Sequence, residues 1–229
     1  GETRELRDGV IASENNSASS SLGRTSQNFL GSLTKSIAVL PFHNLSGDSE
    51  QEFFADGITE EILNALASIP GLRVAGRSSA FSFKGKNEDL RSVGAKLNVG
   101  TILEGTLRRS GDRLRITAQL IDANNGYQLW SERYDRVIDD IFNVQDEIAS
   151  TIANRLQLSF SEEPAPEEPP TRNIEAYELY LKGRGFLYQR GLSIAKAIEC
   201  FNQAVAIDPC YAQAWAGLAD GYTTSGYSG

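Results

Sequence analysis

Methionine is absent from the 229 residues, position 1 included, and the chain holds one histidine, His43, and two cysteines, Cys200 and Cys210. The missing start residue reads as a piece cut from a longer chain. A lone imidazole excludes a histidine cluster for metal and a second imidazole for proton relay. The cysteines stand ten positions apart in a helical pattern, a span of about 15 Å, too far for a disulfide if the helix continues. Small buried side chains are the expectation for both. No apolar run approaches the roughly 18 residues of a membrane helix, and the amino terminus lacks the basic-then-apolar build of a secretory signal. Basic residues are also in deficit, 22 Lys and Arg against 30 Asp and Glu. Half of the resulting charge of −8 sits in Ser161–Thr171. The rest is nearly balanced, so no broad basic face is expected to neutralise a nucleic-acid backbone.

What is present divides into four stretches. Residues 1–34 mix scattered charges with a Ser- and Asn-rich tract, the pattern of a flexible linker. Residues 35–160 carry mixed helical and strand periods. Residues 161–173 contain EEPAPEEPP, whose prolines remove backbone donors and whose glutamates repel one another, favouring an extended spacer. Residues 174–229 are helical throughout. The two outer units are expected to fold independently across this spacer.

Within 35–160, SIAVLPF at Ser36–Phe42 predicts a buried strand. Ser49 and Glu52 have capping-box spacing ahead of a helix carrying Phe54, Ile58, Ile62, Leu66 and Ile69, with a bend expected near Gly57. Leu72–Ala75 predicts a second strand, and Leu90, Val93 and Leu97 a second helix. Three strands follow, over 99–109, 113–122 and 127–135, joined by the turns Ser110-Gly111-Asp112 and Ala123-Asn124-Asn125-Gly126. Leu114, Ile116, Ala118 and Leu120 alternate with Arg113, Arg115, Thr117 and Gln119, as in a half-solvated antiparallel sheet. Ile141, Val144, Ile148, Ile152 and Leu156 mark a closing helix. The order is βαβαβββα, an α/β class with sheet and helices sandwiched together.

Taken in sequence, SIAVLPF, Asn44–Asp48 (NLSGD), Phe53–Ile62 (FFADGITEEI), ILEGTLRRSGDRLRITAQLIDA and LWSERYD resemble the TolB amino-terminal-domain-like module of bacterial multidomain regulators over about Ser36–Phe160. In 174–229, Leu181, Gly185 and Tyr188 recur 34 residues later as Trp215, Ala219 and Tyr222. Ala197, Phe201, Ala204 and Pro209 fall between them. This resembles a tetratricopeptide (TPR) repeat over 178–211 followed by the first helix of another. Arg184 departs from the pattern, which wants leucine there, whereas Leu218 keeps it in the second copy. Because a repeat buries its face on its neighbour, further repeats are expected beyond Gly229.

Catalytic chemistry finds little to stand on. Asp56, Glu60 and Glu61 are read as a solvated helix face near a positive helix terminus, and His43 as a loop residue. Gly183-x-Gly185 lacks a preceding strand and a third glycine, and Lys84-Gly85-Lys86 lacks the rest of a nucleotide loop. Arg108, Arg113 and Arg115 with Arg109 are read first as charged hairpin ends that discourage edge pairing. No enzyme, cofactor or metal site is expected. The resemblances imply a non-catalytic protein-interaction and regulatory module that follows an effector domain: a class III adenylate or guanylate cyclase, a winged-helix domain or a Ser/Thr kinase. A protein or peptide partner is expected in the TPR groove, at Lys182, Phe186, Gln189, Arg190, Gln213 and Asp220. The rival expectation is a small-molecule sensor or enzyme using the sheet's carboxyl end near Leu45–Asp48. The sequence assigns neither side of a membrane.

Overall fold

The computed structural model describes residues 35–48, 51–156 and 169–226. Strand β1 (Ser36–Val39) is buried at every position, as a strand covered on both faces must be. It pairs in parallel with β3 (Arg73–Val74) on one side and with β4 (Thr101–Ser110) on the other. The two-residue β2 (His43–Asn44) continues beyond β1 and also pairs with β4. β5 (Arg113–Asp122) and β6 (Gln128–Val137) complete the sheet as an antiparallel meander, giving the order β3-β1-β4-β5-β6. Gly111 turns the first hairpin at φ +59°, a backbone region that glycine enters without a side-chain penalty.

Helix α1 (Gln51–Ala67) follows β2, and the five-residue α2 (Arg77–Phe81) follows β3. Next comes α3 (Leu90–Leu97), capped by Asp89, whose side chain accepts from the Arg91 N–H at 2.9 Å. A short 3₁₀ turn (Ile138–Asp140) leads into α4 (Ile141–Arg155). The helical unit comprises α5 (Ile174–Gln189), α6 (Ser193–Ile207) and α7 (Ala212–Gly226). This mixed α/β architecture agrees with the expected order, with β2 and α2 added. Ser49, half of the capping pair, and most of the acidic spacer lie outside the described residues, as do 1–34.

The sheet separates two apolar clusters. On one face α3 covers Ala38, Leu40, Val99, Ile102 and Ala123. The larger cluster lies on the other face and does not stop at the α/β unit. It runs from Ile37, Leu103 and Ile116 through Ile58 and Ile62 of α1 and Ile148 of α4 into Tyr177, Leu181, Phe201 and Leu218. α5 thus packs Tyr177 and Leu181 into the same cluster as α1 and α4. Apolar side chains that a separate α/β unit would expose on α1 and α4 are covered by α5, which removes their surface from water.

Glycines mark the close approaches. A Cβ on Gly57 would come within 2.7 Å of Leu181, so this residue lets α1 and α5 touch. Gly183 and Gly217, 34 positions apart, would meet the Phe201 ring at 2.7 and 2.6 Å respectively. Phe201 of α6 is thus gripped by α5 and α7 together.

Candidate functional site

Where α1 meets α5, the sequence-expected solvated acidic face is instead an interior one. Glu60 is only 6% exposed. Arg77 Nε donates to Glu60 Oε2 at 2.9 Å, and the Tyr188 hydroxyl donates to Oε1 at 2.7 Å. Arg184 Nη2 also donates to Oε1. The guanidinium of Arg184 further bonds the hydroxyls of Tyr180 at 2.8 Å and Tyr188 at 2.7 Å. Arg77 is stacked between rings, its Cζ lying 3.5 Å from the Tyr188 centroid and 4.0 Å from that of Phe81. A buried carboxylate is tolerable because two cations and a hydroxyl replace its lost water.

Around this node the contact is aromatic and polar. Phe53 meets Phe186 at 4.7 Å between centroids, and Phe142 of α4 meets Tyr177 at the same distance. Gln145 Nε2 bonds the Tyr177 hydroxyl at 3.0 Å, and Arg109 of β4 pairs with Glu178. Glu61, beside Glu60, has its carboxyl pushed up to about 7 by burial and by the Glu60 charge, with Arg184 opposing. The junction therefore holds a group that changes charge near neutral pH. Asp56 is also paired rather than solvated, accepting from Lys84 Nζ at 2.6 Å, although burial still raises its carboxyl.

The residues expected to hold a partner are not all brought together. Phe186 spends its ring on Phe53, so it lies inside the interface between units. Lys182 lines a hollow of about 450 Å³ with Phe53, Phe54, Glu178, Leu179 and Gln203. Gln189 and Arg190 are exposed at the end of α5, where the Gln189 side chain accepts from Ser193 Oγ at 3.2 Å. Gln213 and Asp220 are exposed on α7. Arg184, Tyr188 and Glu60 were not among the expected site residues. The signal for them was present: Arg184 departs from the pattern the resemblance implies, which wants leucine there, and Gly57 interrupts an otherwise good helix.

At the carboxyl end of β1 a second hollow, of about 380 Å³, is lined by residues 40–44, by Lys84–Glu88 and by Glu104. Burial raises the Glu104 carboxyl, and His43 opposes that shift. Among the described residues no group of three or more His, Cys, Asp or Glu is gathered as metal ligands, and no helix is long and apolar enough to cross a membrane.

The chain is 46% identical over 187 residues to "Putative adenylate cyclase 3" of Rhizobium meliloti (strain 1021), a match covering 80% of this chain and 32% of that protein. It thus spans about a third of that relative's length. Among solved structures, TolB from Acinetobacter baumannii is similar at 16% identity and a TM-score of 0.39, over 53% of this chain and 28% of that one. Lipoprotein GNA1162 from Neisseria meningitidis is similar at 19% identity and a TM-score of 0.39, over 56% and 99%. The model of the HilA/YgeH-like transcriptional regulator second domain matches residues 33–151, more than half of the chain and nearly all of its α/β unit. The chain belongs to the HilA/YgeH-like transcriptional regulator second-domain family.

Proposed function

We propose that these residues form a non-catalytic regulatory and protein-interaction module of a larger bacterial signalling protein, in which a TolB-like α/β unit and a TPR-like hairpin act as one rigid body. The observation that carries this reading is Glu60, buried between the units and held from both sides by Arg77 and Arg184. A partner that shifts α5 must move or break that node, so binding at the helices is felt in the sheet. The TPR reading is supported by the 34-residue echo and by the grip of Gly183 and Gly217 on one phenylalanine. Partner contact falls to Gln189, Arg190, Gln213 and Asp220 and to the hollow at Lys182.

The related cyclase name and the transcriptional-regulator family model both support an effector domain in the parent chain. The test is effector output in such a parent. Arg184→Ala should change output severalfold while leaving the effector's KM for its own substrate unchanged, and these residues alone should not turn over ATP or GTP. Unaltered output would count against the reading. The second reading, a small-molecule sensor at the sheet's carboxyl end, is favoured by the hollow between His43, Lys84 and Glu104. A thermal-shift screen separates the two, since a sensor gains stability from a small molecule and a scaffold only from a protein or peptide.

A further inference from the structure

We infer that the free edge of β6 pairs antiparallel with β6 of a second copy of this chain, in a single register centred on Tyr134. β6 is the last strand of the sheet, ten residues long, whereas β3 at the opposite edge has two. Among the described residues no backbone group bonds its outer side.

The ladder settles which groups face outward. Ile138 N–H donates to Asp112 C=O at 2.9 Å, so the even-numbered residues of β6 turn their N–H and C=O toward β5. The same alternation carried through β5 predicts that odd residues of β4 face β1 and β2. Leu103 and Leu107 do so, accepting from Leu40 and Leu45. Ser131, Arg133, Asp135 and Val137 therefore point their backbone groups out of the sheet. Among the described residues the Asp135 carbonyl meets only the guanidinium of its neighbour Arg136, at 3.3 Å. A bulge opposite Leu120 and Ile121 disturbs the strand before Trp130, which leaves Ser131–Val137 as the regular, pairable stretch.

Charges usually protect such an edge from pairing. Here they are arranged so that one register is exempt. A two-fold axis normal to the sheet keeps each face on its own side, so residues of like parity must oppose. Centred on Tyr134, Arg133 faces the partner's Asp135 and Glu132 faces the partner's Arg136. Symmetry repeats both pairs. Centred on Glu132, Arg133, Asp135 or Arg136, a charged residue instead faces its own copy, which is destabilising in a cross-strand pair. The sequence Glu-Arg-Tyr-Asp-Arg thus changes sign about its tyrosine, the complementarity that a second copy of the same strand supplies. Arg133 and Asp135 already stand 3.0 Å apart within the strand and Arg115 joins them, so pairing extends an existing network. Val137, 46% exposed, comes opposite the partner's Ser131.

This inference is independent of the function proposed above. It is tested by sedimentation equilibrium of the 229-residue chain at low salt. The wild type should show a monomer–dimer equilibrium. Arg133→Asp and Asp135→Arg, each at an exposed position, should raise its Kd at least about tenfold, because each sets two like-charged pairs across the axis. The double variant Arg133→Asp/Asp135→Arg, which restores opposite charges in the same register, should return Kd to within about threefold of wild type. A chain that stays monomeric up to about 1 mM would overturn the inference. So would a dimer indifferent to either single change, which would assign association to another surface, or a double variant no better than the singles.

Discussion

Arg184 and Glu60 stand 124 positions apart in the chain and are joined by a hydrogen-bonded ion pair in the interior, between a helix of the α/β unit and the first helix of the hairpin. Their meeting makes the departure from the expected pattern at position 184 a joint between two units. Arg184→Leu supplies the leucine expected from the resemblance but leaves Glu60 with Arg77 and Tyr188 alone. The expected cost is about 2–4 kcal/mol in chemical denaturation, since a buried charge loses a partner. A double-mutant cycle with Glu60→Gln should give a coupling of about 1–3 kcal/mol.

Gly57→Ala should destabilise the chain even though alanine improves an isolated helix by about 1 kcal/mol. The added methyl would meet Leu181 at 2.7 Å, and crowding of this kind costs about 1–3 kcal/mol. In a Leu181→Ala background the two methyls at 2.7 Å are gone and only the Cβ at 2.9 Å is left, so the same substitution should cost less. Thermal melts of the four variants check the reduced penalty.

These two positions also say how much of the molecule was legible in the sequence. Periodicity gave the meander and every helix of eight or more residues in the α/β unit, because one-sided burial writes alternating or 3.6-residue patterns. It missed α2 and β2, too short to carry a period. It missed the joint for a different reason. α1 is covered on one side by the sheet and on another by α5, so Glu60 and Asp56 look like a polar face until their partners arrive from distant segments. Pairing across 124 positions leaves no local pattern.

Stability should fall as the solution moves from mildly acidic to neutral pH. The Glu61 carboxyl, pushed up to about 7, lies above its ordinary value of 4.5, so the folded chain holds that proton more tightly than the unfolded one. The contribution is complete below 4.5, declines as pH rises, and is lost above about 7. Its size is at most about 3 kcal/mol by linkage. Glu61→Gln should flatten this part of the stability profile, and denaturant titrations between those limits would read it.

The two tryptophans allow the decisive measurement, because Trp130 lies in β6 and Trp215 in α7. Replacing one or the other by phenylalanine leaves a chain whose fluorescence follows the α/β unit alone or the helical unit alone. If the units share one core, urea unfolding followed by either reporter has the same midpoint and slope. Phe201→Asp, which places a charge in the grip of Gly183 and Gly217, should then lower both midpoints together. Separate midpoints, or a Phe201→Asp chain in which Trp130 unfolds as in the parent while the helices melt, would contradict the single-body account.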